Sequence, residues 1–379
     1  MRLAWTNIAH DKTRFAVAVL GITGAVFLMV FQGSILLGFL RAASKIIDTT
    51  GADLWITGRG VSCFEFPVTI ERRIVEIAHS APGVAETNRI CTSQVELRKP
   101  DGNQQLVVLV GADERVGDRF PMPRIAGRIS GLTSGPGAVE PESVLVDESN
   151  AALLNLTHYP QAVELNDQRA TILGQTSGFG SFLGSPYVFT SYADGARYIH
   201  LSPELTMFIL VQVSPGSAVE EVRRALQKRL ENVDVWTRDD FSRKARLYWI
   251  TQTGAGGAIL MAALLGFLVG LAIVSQSIYA TTMENIEEFA TLKAIGASNG
   301  FIIRVIILQS LMCGIAGYVL GVLVTAPVVH AAAASISWVS MPLWLPAMVF
   351  LPALLMCVLA SVLSIRTALS VEPARVFRA

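Results

Sequence analysis

The sequence predicts an α-helical membrane protein with four transmembrane helices and an α+β extracytoplasmic domain inserted between the first and the second. The first observation is a low charge content: 52% of the 379 residues are hydrophobic and only 16% are charged, whereas soluble domains carry about 25% charged residues. The second is that residues 41–253 hold most of this charge, with 22 Lys/Arg and 25 Asp/Glu. The third is four apolar stretches of the length that crosses a bilayer, about 20 residues.

The composition excludes two broad classes of protein. So little charge excludes an ordinary soluble enzyme, and 30 Lys/Arg balanced by 30 Asp/Glu exclude a chain that binds nucleic acid by its net charge. The first apolar stretch is longer than the roughly 7–15 apolar residues of a signal peptide, so we interpret it as a retained anchor. We predict transmembrane helices at residues 15–40, 254–280, 305–329 and 343–365.

Lys and Arg in the short flanking segments predict the orientation. Residues 1–14 carry three of them, residues 281–304 carry two and residues 366–379 carry three, whereas the turn at 330–342 has none. Short cytoplasmic segments are enriched in Lys and Arg. We therefore expect a cytoplasmic N-terminal helix, a cytoplasmic coupling segment at 281–304 and a cytoplasmic tail, with the domain at 41–253 outside.

The hydrophobic pattern of the inserted domain predicts two β-α-β units that are separated by a lobe of roughly 100 residues. Strands are indicated by alternating or continuous apolar runs, and helices by apolar residues three to four apart. Residues 40–47 and 241–253, next to the first two spans, have a helical composition and predict a stalk that couples movement outside to movement in the membrane. The first unit comprises residues 52–57, 69–79 and 84–97, and the second comprises 206–213, 217–230 and 233–236.

The four cysteines fall in two environments. Cys63 and Cys91 lie in the domain that we place outside, where disulfides persist. A Cys63–Cys91 disulfide is one alternative, and two unpaired, unreactive thiols are the other, which we favour. Cys313 and Cys357 lie in predicted spans, where a thiol behaves as a small hydrophobic group.

The sequence contains no motif for catalysis, cofactor binding or metal binding. No histidine pair has metal-ligand spacing, and C-x-x-C, P-loop and G-x-S-x-G motifs do not occur. The predicted spans have no Asp, Glu or Lys in their interiors, although ion-coupled carriers usually need such residues. If the protein moves a substrate, its energy therefore comes from elsewhere.

Two spans carry glycines four residues apart, a spacing that lets helix backbones approach closely. These pairs are Gly266 with Gly270 and Gly317 with Gly321. We interpret them as packing positions within one helix bundle more readily than as a dimer interface.

The segment between the second and third spans has the pattern of a short amphipathic helix. Ile286, Phe289 and Ile295 form an apolar stripe, and Gly296 is a natural C-terminal stop. A helix that lies on lipid would be rich in Lys and Arg, but here Lys293 stands alone among glutamates. We therefore predict that the stripe binds a protein partner.

This segment, Glu288-Phe-Ala-Thr-Leu-Lys-Ala-Ile-Gly-Ala-Ser298, resembles the cytoplasmic loop of MacB/FtsX-type permeases of ABC transporters. Residues Leu3–Arg14 and Arg59–Phe64 are most similar to the DevC branch of that family, and Val371–Phe377 is similar to the family's tail. The resemblance covers the whole chain and is weakest through 115–205.

The resemblance implies a multi-pass permease of the bacterial inner membrane that forms a homodimer and works with a separate cytoplasmic ABC ATPase. No nucleotide-binding motif precedes the first span, so ATP and Mg would be bound by that partner. It further implies a periplasmic adaptor, a TolC-like outer-membrane channel, lipid-like or amphiphilic cargo, and mechanotransmission from the ATPase to the outer domain. One alternative is an FtsX-like subunit that regulates a cell-wall hydrolase, and another is a receptor without an ATPase.

The resemblance also assigns residues. Asn7, His10, Lys12 and Arg14 would lie on a cytoplasmic helix, with membrane anchoring or coupling as its role. The contact with the ATPase would be formed by Ile286, Glu287, Glu288, Phe289, Leu292, Lys293, Ala294, Ile295 and Gly296.

Overall fold

The computed structural model describes residues 12–99, 101–113, 142–156, 158–176, 178–181, 183–336 and 338–370. The chain divides into two compact units. We call the first the helical unit; within the described residues it contains the chain up to Leu37, Gly256–Ala334 and the residues from Val339 to Ser370. We call the second the sheet unit; it contains Gly38–Ala255 and Ser335–Trp338. In chain order the helices are α1 (Lys12–Thr49), α2 (Arg73–His79), α3 (Tyr192–Tyr198), α4 (Val219–Arg229), α5 (Arg238–Thr251), α6 (Ala255–Glu284), α7 (Ile286–Ala294), α8 (Asn299–Ser335) and α9 (Trp344–Ser370).

Four helices in the described ranges, α1, α6, α8 and α9, are long and apolar enough to cross a membrane. They extend past the apolar stretches of the sequence: α1 continues beyond Arg41 to Thr49, and α8 begins at Asn299, before Arg304. Charged side chains near helix ends can reach water while the backbone remains helical. The structure therefore confirms four apolar helices with a domain inserted after the first, and its helices are longer than the predicted spans.

Hydroxyl groups inside the helical unit donate to main-chain carbonyls of neighbouring helices. The Tyr318 hydroxyl of α8 donates to the Pro346 carbonyl of α9 at 2.8 Å. The Ser310 hydroxyl donates to the Cys357 carbonyl at 2.6 Å. Since the hydrocarbon core offers no water, polar groups there must find partners within the protein, and these two pairs link α8 to α9.

The sheet unit contains a nine-stranded sheet in the order β11-β1-β10-β3-β4-β8-β5-β7-β6. In addition, β6 pairs with β3 through Leu97 opposite Leu165, which joins β3, β4, β8, β5, β7 and β6 into a closed ring. A separate two-stranded sheet pairs β2 with β9. The strands are β1 (Leu54–Gly58), β2 (Ile70–Glu71), β3 (Val84–Arg98), β4 (Gln104–Ala112), β5 (Ser143–Asp147), β6 (Gln161–Leu165), β7 (Gln168–Thr176), β8 (Tyr187–Ser191), β9 (Leu205–Thr206), β10 (Phe208–Val213) and β11 (Val233–Thr237).

Two split β-α-β units interleave at one end of this sheet. The first is β1-α2-β3 and the second is β10-α4-β11, and β1 lies between β10 and β11 because it pairs antiparallel with both. Leu54 and Ile56 face α2 and α4, whereas Trp55 faces the opposite core with Phe208 and Phe241. Both faces of β1 are thus covered, which explains its continuous apolar run. The predicted split halves with an inserted lobe are confirmed.

The closed ring forms the inserted lobe. Its interior is filled by apolar side chains, among them Leu97, Leu109, Leu165 and Val188, each with at most 1% of its surface exposed. No strand is predicted from the sequence between residues 110 and 206. The structure places β5, β6 and β8, of five residues each, and β7, of nine, in this region, and the closure of the ring by β6 on β3 leaves no local pattern in the sequence.

The predicted stalk segments, 40–47 and 241–253, are helical over most of their length, since α1 continues to Thr49 and α5 ends at Thr251. Within the sheet unit Arg246 of α5 joins the two helices. Its Nε donates to the Ser44 hydroxyl and its Nη2 to the Asp48 carboxylate, both at 2.8 Å. This fork ties the end of α1 to α5.

The predicted alternative of a Cys63–Cys91 disulfide is wrong, because both cysteines are free and buried. Cys91 lies on β3, where its Sγ packs against Gly111 and Gly195. Cys63 lies in the loop between β1 and β2, beside Glu65. Burial raises the pKa of both thiols from 9.0 to about 12, so both are protonated and poor nucleophiles.

Candidate functional site

The candidate site is α7, the short helix between the membrane helices α6 and α8. Only Asn285 separates it from α6, and the Asn285 side-chain amide donates to the Thr281 carbonyl at 2.9 Å. At its end Gly296 has a φ of 96°, and the amide of Ala297 donates to the Leu292 carbonyl at 2.9 Å. This is a Schellman C-cap, which requires the left-handed backbone that glycine adopts at low cost. Gly296 therefore ends the helix.

Only part of the apolar stripe of α7 points into the protein, so the prediction that the whole stripe binds a partner is wrong for Phe289. Phe289 is 3% exposed and belongs to the core of the helical unit together with Ile302 and Ile306 of α8. Leu292 packs against the same core. Because short connections tie both ends of α7 to membrane helices, the face that carries Phe289 and Leu292 is covered by the chain's own helix bundle.

Lys293 is also directed toward the helical unit. Its Nζ donates to the Leu369 carbonyl at 2.7 Å, next to the end of α9 at Ser370. A cation at the carboxyl end of a helix is favourable, because the last carbonyls lack helical partners. Phe289, Leu292 and Lys293 therefore hold α7 in place; Phe289 is buried, and Leu292 and Lys293 are half-buried.

The other predicted contact residues form what we call the α7 surface. Ile295 is 77% exposed. Two carboxylates and two small residues lie exposed beside it, and Ile286 is half-buried. This combination fits a partner groove that offers an apolar pocket and positive charge. The exposed members of the α7 surface are Glu287, Glu288, Ala294, Ile295 and Gly296.

The four glycines predicted as packing positions all face α1 within the helical unit. A Cβ at Gly317 would lie 2.5 Å from the Ile22 Cβ, and one at Gly270 would overlap the Ala25 Cβ. Any larger residue would separate the helices, so α6 and α8 approach α1 at backbone distance. Gly266 likewise faces Leu28, and Gly321 faces Val26.

A half-buried glutamate that no sequence pattern marks joins three parts of the sheet unit. Glu65 lies in the loop between β1 and β2; its Oε1 accepts from the Tyr187 hydroxyl of β8, and its Oε2 from the Trp249 indole of α5, both at 3.3 Å. Burial raises the pKa of Glu65 from 4.5 to about 7, although these hydrogen bonds lower it. Its partners lie more than 100 residues along the chain, so no local pattern marks it.

This raised pKa predicts a pH dependence of stability. The folded chain holds the Glu65 proton more tightly than the unfolded chain, so stability is fully present below pH 4.5 and is lost as the pH rises toward about 7. Glu65→Gln should remove that loss, which is at most about 3 kcal/mol. In thermal unfolding of the full chain, the variant should gain stability over the parent at pH 8 and little at pH 4.5. An equal difference at both pH values would contradict the assignment.

Several predicted residues lie outside the described residues. These are Asn7 and His10 of the N-terminal segment, Arg375 and Arg378 of the tail, and the family-like segment Val371–Phe377. Lys12 and Arg14 lie in α1. Within the ranges that the structure describes, no group of three or more His, Cys, Asp or Glu side chains could hold a metal ion.

Two family models match the chain. A model described as MacB-like periplasmic core domain matches residues 15–229, and one described as FtsX-like permease C-terminal matches residues 260–373. The first spans more than half of the 379 residues. The second contains α7 and the last two apolar helices. A comparison with curated proteins found no match.

Two solved structures are similar to the chain at low identity. The periplasmic region of MacB from Actinobacillus actinomycetemcomitans has a TM-score of 0.38 at 14% identity, over 52% of this chain and 96% of that one. The extracellular domain of the noncanonic ABC-type transporter YknZ from Gram-positive bacteria has a TM-score of 0.35 at 10% identity, over 49% and 99%.

Proposed function

This chain belongs to the MacB/FtsX-type family of ABC transporter permeases, and we propose that it transmits motion from a separate ABC ATPase to its sheet unit. The family supplies the permease component of an ABC transporter, which is not itself catalytic. The ATPase would bind ATP and Mg, and it would dock on the α7 surface.

The burial pattern of α7 supports this proposal. One face is fixed to the helical unit through Phe289, which is 3% exposed, and the carboxyl end of the helix presents Ile295, which is 77% exposed. A helix that is packed on the bundle through one face and offers a partner an exposed apolar residue elsewhere can pass a displacement of that partner to the membrane helices. A helix that only covered the bundle would not need an exposed isoleucine beside two carboxylates.

From the helical unit, the motion would reach the sheet unit along α1. This helix runs without interruption from Lys12 to Thr49, and its residues belong to the helical unit up to Leu37 and to the sheet unit from Gly38. In the sheet unit the Arg246 fork ties α1 to α5, and α5 is followed closely by α6. Movement of α1 against α6 and α8 would therefore be carried along α1 into the sheet unit.

The finer assignments rest on the resemblance to the family. We propose a homodimer in the bacterial inner membrane with both termini cytoplasmic, acting with a periplasmic adaptor and a TolC-like channel on lipid-like or amphiphilic cargo. The similarity to the DevC branch supports this assembly. The alternative remains an FtsX-like subunit that regulates a cell-wall hydrolase.

Affinity purification of the tagged permease from its native membranes tests the proposal. We expect an ABC ATPase and an adaptor to co-purify in fixed proportion to the permease. Recovery of the ATPase with a peptidoglycan hydrolase in place of the adaptor would favour the alternative. Recovery of the permease without any ATPase, under conditions that preserve its fold, would contradict both.

A further inference from the structure

An aromatic cluster in the sheet unit joins the ends of three membrane helices. The rings of Phe39 and Trp249 are 6.0 Å apart and those of Phe39 and Trp338 are 6.2 Å apart, both edge to face. Phe39 lies in α1, Trp249 precedes α6, and Trp338 follows α8. Because successive spans alternate in direction, the end of α1, the start of α6 and the end of α8 meet at one surface of the bilayer.

Charged residues fix the depth of this cluster. Phe39 lies two residues before Arg41, the first charge after the apolar part of α1, and Trp249 lies three residues after Arg246, the last charge before α6. The hydrocarbon core must end before such charges. The cluster therefore lies at the boundary between acyl chains and headgroups, where aromatic rings are favoured.

Phe66 extends this cluster from a different part of the chain. Its ring lies 6.2 Å from the rings of both Trp249 and Tyr248, yet 54% of its surface is exposed. Its neighbours are held inside: Phe64 is 1% exposed, and the Glu65 carboxylate accepts from the Trp249 indole. The loop is thus fixed so that Phe66 projects, and Val68 beside it is 48% exposed.

We propose that the tip formed by Phe66 and Val68, which we call the Phe66 loop, inserts into the headgroup and acyl boundary of the bilayer. The loop has the depth of the aromatic cluster and two exposed apolar side chains, and such groups gain free energy on leaving water. We assign lipid as the group that covers the loop, because the rings that contact Phe66 belong to residues next to a membrane span. This insertion of the loop does not depend on whether the chain works with an ATPase.

The test is depth-dependent quenching in lipid nanodiscs of phosphatidylethanolamine and phosphatidylglycerol. Phe66→Cys, and separately Val68→Cys, is labelled with an environment-sensitive fluorophore; the four native cysteines are buried, and the unsubstituted chain corrects for their labelling. Leu106→Cys on β4 is the matched control, because Leu106 is 53% exposed. We expect lipids that carry a shallow nitroxide to quench both loop labels strongly and the control weakly, with a depth of about 5–10 Å.

Two results would overturn the proposal. Loop labels that are quenched no more than the label at Leu106 would show that the loop stays in water. Loop labels with blue-shifted emission but no quenching by lipid would show that a second permease copy or another protein covers them. Phe66 and Val68 are both exposed and neither fills the core, so neither substitution should disturb the fold. Agreement between the two labels shows that the result does not come from a single substitution.

Discussion

Replacing Ile295 by Asp should abolish the stimulation of the partner ATPase while leaving the permease as stable as before. Ile295 is 77% exposed and lies at the carboxyl end of α7, so an aspartate there meets water in the isolated permease, and stability should change by less than about 0.5 kcal/mol. In the complex the carboxylate would be buried in an apolar pocket without a partner. Removing an anchor of this kind typically costs about 2 kcal/mol or more, or roughly thirtyfold in affinity.

The matched variant is Phe289→Ala, on the buried face of the same helix. Phe289 fills the core of the helical unit, and truncating a buried phenylalanine costs about 3–5 kcal/mol. This variant should lower the thermal stability of the permease, whereas Ile295→Asp should not. ATPase stimulation and unfolding temperature, measured on both variants, separate the two roles. Normal stimulation with Ile295→Asp would show that the α7 surface is not the contact.

The second large effect is expected at Gly270, where α6 meets α1. A side chain there would overlap Ala25 and lie within 3.0 Å of the Met356 sulfur, and overpacking a close-packed site costs about 1–3 kcal/mol or more. Gly270→Leu should therefore push α6 from α1 and lower both the yield of folded permease and its unfolding temperature.

Gly257→Leu, in the same helix, is the control for Gly270→Leu. A Cβ at Gly257 would meet no heavy atom within 4 Å, so the larger side chain enters open space. Folded yield and unfolding temperature should stay at the level of the parent. If both leucine variants behave alike, close packing of α6 on α1 does not limit the stability of the bundle.

The membrane helices and the split β-α-β units could be predicted because their signals are local. A span is a run without charge, and a strand such as β1 is an apolar run with both faces covered. The direction of α7 could not be predicted in this way. Its pattern indicated one apolar face, but whether Phe289 meets lipid, a partner or the chain's own α8 depends on how short the connections to α6 and α8 are.

The inserted lobe and the Glu65 carboxyl group depend on long-range contacts. The ring closes where Leu97 pairs with Leu165, and no local period shows which strands meet at such a separation. Glu65 resembles any other glutamate in the sequence until Tyr187 and Trp249 surround it. The same holds for Phe66, whose projection follows from the burial of its neighbours.

The central claim is that ATP-driven motion reaches the sheet unit through α7 and α1. The most direct test is the distance between spin labels at Leu106→Cys in the two copies of the proposed permease dimer, purified with its ATPase. We predict that trapping the ATPase with ATP shifts this distance distribution, and that adding Ile295→Asp abolishes the shift. An unchanged distribution in the unmodified complex, while its ATPase turns over at the stimulated rate, would contradict the account.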